Sequence, residues 1–352
     1  MITGKTTTLE FACRMPDPSK PFPMPRNPWD TATWAGGSSS GTGNGIAAGL
    51  FFAGLGTDTG GSIGIPAAFC GVTGLMPTFG RVPKSGVVPL GYSLDHAGPL
   101  ARSARDCAAV LDVISGPHAD GRDCVDLPLP TPAFDGTLEG MRIGVVREGH
   151  FPEQADPALA PAFDTALEVM AGLGATLVEA ALPYWTEMAT AHAVTMCAEA
   201  FAYHRNDLVG RWGDYFASTR TMLALGAMVT GADHVQAQRV RQVTQDAVAR
   251  MFGDVDVIVC PTTAIGAPRY DDLFDKDGRI QNEWLYALIF TTYWDCVGNP
   301  VLAAPMGATA AGLPLSIQFA GPAFGEADLL GAADAFQRVT DWHRRVPALV
   351  TP

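Results

Sequence analysis

The stretch from Met141 to Leu182 constrains the fold most. "MRIGVVR" is an apolar strand segment, and "PALAPAFDTALEVMAGLG" carries Leu159, Phe163, Leu167 and Met170 at helical spacing before stopping at Gly172 and Gly174. "TLVEAAL" is the next strand segment. Strand, helix, strand in that order argues two parallel strands joined by a crossover, hence an α/β sheet. Ser103 to Ile114 reads as a helix N-capped by Ser103, with Ala108, Val110, Leu111 and Ile114 on its apolar face and Gly116 beyond its end. Residues 187–208 and 234–252 also read as helices. "VDVIVCP" and "LPLSIQFAG" are strands, and "EADLLGAADAFQRVTDWHRR" is a C-terminal helix. Residues 44–55 read as a buried small-residue helix; their apolar run, Ile46 to Leu55, is too short to cross a bilayer. No repeat, low-complexity tract or linker divides the 352 residues, so one domain is expected.

Composition narrows the partners. A net charge of −13 repels phosphate backbones and argues against nucleic acid. The seven cysteines are scattered and odd in number, with no C-x-x-C pair, which reads as reduced thiols in a cytoplasmic protein. No His or Cys pair has zinc-ligand spacing, so no metal or other cofactor is expected. "MITGKTTTLEF" lacks the apolar region of a signal peptide, and no membrane association is expected.

Two glycine–serine knots, "AGGSSSGTGNG" and "GTDTGGSIGIP", flank an apolar segment. A phosphate loop fails because Thr42 stands where the lysine must be, and Gly41, Gly43 and Gly45 have the wrong spacing for a dinucleotide fingerprint. The nucleophile elbow G-x-S-x-G occurs around Ser39 and around Ser62, with His150, His192, His204, His234 and His343 downstream. Its context is poor: "TATWAG" is a weak strand, and Pro66 is expected to bar a helix directly after Ser62. Taken singly, each knot reads as turn glycines and capping serines.

Taken together they do not. "GGSSSG" followed by "GLGTDTGGSIGIPAAFCGVTGLMPTFGRV" resembles the signature of the amidase signature family almost residue for residue. The likeness continues in "GKTTTLEFA", "NPWD", "SLDHAGPLARSARDCAAVLDVISG", "DVDVIVCPTT", "GNPVLAAPMG" and "GLPLSIQFAGPAFGEADLL", and so covers most of the chain. It implies a single α/β domain over 1–352, with the signature core at about 30–116 and a large twisted mixed sheet flanked by helices on both faces. It also implies hydrolysis of a carboxylic amide through an acyl-enzyme, with carbamates and esters as companions, by a Ser–cisSer–Lys triad.

By motif position the resemblance makes Ser62 the nucleophile and Ser38 the bridging serine, joined to Gly37 by a cis peptide. The N–H groups of Thr59, Gly60, Gly61 and Ser62 become the oxyanion hole, and Asp58 and Arg81 order the loops. A serine hydroxyl needs a base to take its proton, and a second hydroxyl relays that proton when the base cannot reach. The implied base is a lysine well upstream of the bridging serine. Only 37 residues precede Ser38, and Lys5, Lys20, Lys84 and Lys276 all stand elsewhere, so the chain is expected to lack the N-terminal segment that bears it and to be nearly inactive alone. Gly64 stands where the family usually has arginine; the loss of that charge is expected to disfavour acidic substrates. Pocket walls are expected from 118–140 and 183–233, with Tyr184, Trp185, Met188, Met196 and Phe201 as an apolar stripe that suits an apolar or aryl amide. Two alternatives stand beside this hydrolase: an amidotransferase A-type subunit, and an inactive remnant or binding-only relative. A homodimer is compatible with either.

Overall fold

The computed structural model describes residues 1–118, 124–275, 280–281 and 283–350. Its strands are β1 (Ala53–Asp58), β2 (Thr73–Met76), β3 (His96–Ala101), β4 (Arg142–Val146), β5 (Thr176–Ala180), β6 (Val257–Pro261), β7 (Val301–Ala308) and β8 (Pro314–Ala320). They form an eight-stranded sheet in the order β1-β3-β2-β7-β8-β6-β4-β5. Only β4 pairs in parallel, with β5 and with β6; the remaining pairs are antiparallel. The helices are α1 (Ser40–Ala47), α2 (Gly64–Cys70), α3 (Ala104–Ile114), α4 (Leu159–Gly172), α5 (Trp185–Arg211), α6 (Ala217–Met228), α7 (Gly231–Met251), α8 (Tyr270–Leu273), α9 (Glu283–Tyr286), α10 (Thr292–Val297) and α11 (Glu326–Val339).

Side-chain alternation along the strands explains the layering. Val257, Val259, Leu302 and Ala304 face a core shared with α3, α4 and α11. Their neighbours Ile258, Cys260 and Val301 face α5, α7 and α10, and Ala303 faces α1 and α2. The central strands are buried on both faces, which is why they read as continuous apolar runs. The crossover over 141–182 is present as β4–α4–β5, with Ile143 opposite Leu177. Ser103 caps α3 by accepting from Asp106 N–H.

Two local expectations are corrected. The helix expected at 44–55 is α1, which starts at Ser40 and ends at Ala47. Gly49, at φ 71°, turns the chain, and Phe51 folds back onto Gly45, where a side chain would collide with its ring. Leu50 is 75 % exposed and Phe52 95 % exposed, and 53–58 become the edge strand β1. Pro66 does not bar a helix after Ser62; it sits in the first turn of α2, where its fixed φ suits the helix. The carbonyl that an N–H at this position would have sought, that of Ser62, accepts instead from Ser39 N–H at 3.2 Å. The proline thereby frees the bond that joins the two knots.

Candidate active site

The first knot enters α1 through a cis Gly37–Ser38 peptide. Leu9 N–H and the Thr8 hydroxyl both donate to the Ser38 carbonyl, at 3.2 and 2.9 Å. The Ser38 hydroxyl is buried and has no hydrogen-bond partner among the described residues. It lines a cavity of about 320 Å³ together with Gly37, Thr59, Gly60 and Ser62. The two serines thus meet at one space, although 24 positions separate them.

Behind that space, the buried Asp58 gathers the turn. Gly61 and Ser62 N–H donate to its Oδ1, while Ile63 N–H at 2.7 Å and Gly64 N–H at 3.2 Å donate to Oδ2. Asp58 is therefore an anionic cap on the N-terminus of α2. Gly61 has φ 115°, and a Cβ there would lie 2.0 Å from Thr291 Oγ1, so only glycine fits. The Thr291 hydroxyl donates to the Gly60 carbonyl at 2.9 Å, and His192 Nε2 donates to the Thr59 carbonyl at 2.7 Å. Burial holds His192 below its usual pKa, so the ring is neutral. With both carbonyls anchored, the Thr59 and Gly60 N–H groups have no protein acceptor among the described residues.

Asp58 has a second carboxyl beside it. Asp295 is 1 % exposed, and burial, followed by the charge of Asp58, raises its carboxyl well above the usual range. Burial also raises Asp58, against the hydrogen bonds that favour its charge. Asp295 therefore holds the proton more readily, although its carboxyl oxygens have no hydrogen-bond partner among the described residues. Gly64 faces this pair. It lines a void of about 10 Å³ with Asp58, Asp295, Thr291 and Gln318, whose Oε1 is also unpartnered among the described residues. Gly64 does not line the serine cavity, so the expected effect of its missing charge on substrate selection is corrected: that position addresses the carboxyl pair.

Arg81 lies outside the cavity. It is buried against Glu326 of α11 at 3.1 Å, donates to Leu127 O at 2.8 Å and stacks over Phe324. No described lysine lines the cavity. Lys5 is exposed, Lys20 donates to Gly213 O and Lys84 to Tyr92 O, while Lys276 lies outside the described residues.

Of the expected apolar stripe, only Met196 lines the cavity. Met188 is core, Trp185 stacks on Tyr293, Tyr184 is largely exposed and Phe201 packs beside Gly226. Nothing described in 118–140 reaches the cavity, and 119–123 lie outside the described residues. Ala189, His192, Ala193 and Met222 join Met196 from the expected 183–233 segment, and further wall includes Arg14, Met15 and Trp34, and Leu285, Tyr286, Ile289 and Thr292. Among the described residues, no three His, Cys, Asp or Glu side chains converge as a metal site would require.

The sequence profile of the family described as Amidase matches residues 1–330. The chain belongs to the amidase signature family. It is similar to the A-type subunit of the glutamyl-tRNA(Gln) amidotransferase of Roseiflexus castenholzii, with 39 % identity over 99 % of this chain and 75 % of that protein. Among solved structures, one from a vestigial protein complex connected with the origins of an s-triazine catabolic enzyme superposes with a TM-score of 0.85, at 33 % identity, covering 94 % of this chain and 72 % of that one. A bacterial aryl acylamidase superposes at 0.79, with 26 % identity over 91 % of this chain and 68 % of that one. As in those amidase-fold neighbours, a mixed sheet with helices carries the signature.

Proposed function

We propose that this amidase-family chain hydrolyses a carboxylic amide through an acyl-enzyme on Ser62. The observation that carries the reading is the buried, unbonded Ser38 hydroxyl sharing a cavity with Ser62 and with the free Thr59 and Gly60 N–H groups. Ser62 Oγ attacks the carbonyl carbon as its proton passes to Ser38 Oγ, whose own proton passes to the base. Thr59 and Gly60 N–H hold the oxyanion, while Gly61 and Ser62 N–H, committed to Asp58, fix the turn. The relay returns the proton to the leaving amine, and water then cleaves the ester by the same route. Carbamates and esters pass through the same tetrahedral geometry. The base implied by the family is a lysine; no described lysine lines the cavity.

The test is labelling with an aryl fluorophosphonate and mapping of the adduct, on these residues and on a version carrying the upstream segment of the relatives. An adduct on Ser62 that is lost in Ser38→Ala supports the reading; an adduct on Ser39 with none on Ser62 overturns it. A second reading, release of ammonia from an amide for transfer to another molecule, is favoured by the names of the amidotransferase relatives. Glutamine turnover that rises only in the presence of added partner subunits would select it.

A further inference from the structure

We infer that the substrate of this cavity carries an anionic oxygen group, a carboxylate in the simplest case, which binds Arg14. The inference rests on the amide-hydrolase reading and adds the substrate class. Among the described residues lining the cavity, Arg14 is the one side chain with a permanent positive charge. The surface around it is apolar: Met15, Trp34, Met196, Met222, Leu285 and Ile289. Its Nε is buried without a hydrogen-bond partner among the described residues.

No described carboxylate lies within ion-pair distance of it. Glu10 is committed to Phe216 N–H at 2.7 Å, and Asp17 to Ser19 and Ala217. The guanidinium carbon lies 5.7 Å from the Tyr286 ring centroid, and its hydrogen-bonding neighbours are the Tyr286 and Cys197 side chains; burial holds the Cys197 and nearby Cys13 thiols neutral, so neither thiol supplies a negative charge. A guanidinium cannot neutralise itself by losing a proton, and a partly buried charge with no counter-ion among the described residues favours an anion beside it. The cavity that holds the nucleophile is where its counter-ion enters.

The backbone supports the placement. Phe11, Ala12 and Arg14 all have positive φ, at 49°, 58° and 49°. Non-glycine residues adopt that region only where surrounding contacts enforce it. The strap is pinned at one end by Leu9 N–H on the Ser38 carbonyl and at the other by the Ser218 hydroxyl on the Met15 carbonyl. The same short segment thus fixes the relay serine and aims the cation. The apolar or aryl amide expected from sequence becomes an apolar amide with an acidic end.

The experiment titrates the Ser62→Ala protein calorimetrically with the mono-4-nitroanilides of succinic, glutaric and adipic acid and with their methyl esters. At least one acid binds more tightly than its ester, by about tenfold or more, as expected for a charge-assisted hydrogen bond in a desolvated site. Arg14→Gln brings that ratio close to one, and Arg14→Lys leaves it between. Equal affinities for every acid and its ester, or no binding by any of them, overturn the inference, as does a ratio that Arg14→Gln leaves intact. If Arg14→Gln does not fold, the ratio with Arg14 in place decides. Acid selectivity without acylation of Ser62 by any activated ester in the upstream-extended chain sinks the hydrolase reading and leaves Arg14 an anion site. Acylation without selectivity does the reverse.

Discussion

On one side of the turn at 58–64, Asp58 and Asp295 lie buried together with no described cationic side chain lining their void. On the other side, Arg14 lines the cavity with no described carboxylate beside it. The signs are opposite and the settlements differ. A carboxyl pair lowers its own charge by keeping a proton, so the rear site does not need a cation. A guanidinium has no such recourse. Size agrees with titratability: the rear void, at about 10 Å³, has room for about one water, whereas the front cavity, at about 320 Å³, admits a molecule. Burial of a charge therefore marks a binding site only where the group cannot neutralise itself and space remains beside it.

The largest effect is expected at the rear. Asp58→Asn removes the charge and leaves two of the four backbone N–H groups facing an amide NH2 in place of an acceptor oxygen, and it unfolds the protein more easily by about 3–5 kcal/mol, the range for breaking a buried charged arrangement. Denaturant titration measures this, and wild-type stability in the variant would mean that the rear side does not organise the turn. Next, Ser38→Ala slows acylation of Ser62 by about 10²–10⁴ with little change in melting temperature, because its hydroxyl has no partner to lose. Stopped-flow acylation by an activated aryl ester checks the rate, and a large fall in stability would reassign Ser38 to structure.

The third expectation concerns pH. The folded chain retains on Asp295 a proton that the unfolded chain releases near 3.8. Its stabilisation is thus fully present below that value and is lost as pH rises through the raised folded pKa. Burial sets the opposite limb, holding His96 down at about 3 and His150 at about 4, so stability falls as pH drops below 6.5. Melting curves across pH should show Asp295→Asn flattening the alkaline limb alone; an unchanged alkaline limb would remove the proton on Asp295. The smallest effect is Gly64→Ala, whose Cβ would meet Thr291 Cγ2 at 3.2 Å. It shifts stability by less than about 1 kcal/mol and leaves the acid-to-ester binding ratio untouched. A changed ratio would move Gly64 to the front.

Local pattern made the crossover, the cap of α3 and both serine knots legible, because periodicity and motif spacing are short-range signals. The same signals misread 44–55, since composition cannot distinguish an edge strand after a glycine turn from a buried small-residue helix. Pro66 was misjudged for a similar reason: its effect depends on its position within the helix, which the tripeptide does not state. The cavity wall was the least visible part. Arg14, Met222 and Leu285 come from three distant segments, and nothing around any of them marks a shared space. Asp295 is likewise ordinary until Asp58 is placed beside it.

The order of strands also governs how such a chain is made. β7 and β8 stand at the middle of the sheet, with β2 paired to β7 and β6 to β8. A nascent chain leaves the ribosome with β1, β2, β3 and both serines first, yet β2 has no partner on its inner side until residues 301–308 emerge. At ordinary elongation rates that interval lasts on the order of ten seconds to under a minute. Over that time the signature half remains an open-edged fragment, a natural client for a holding chaperone. The β7–β8 hairpin is the keystone that closes the signature half onto the rest.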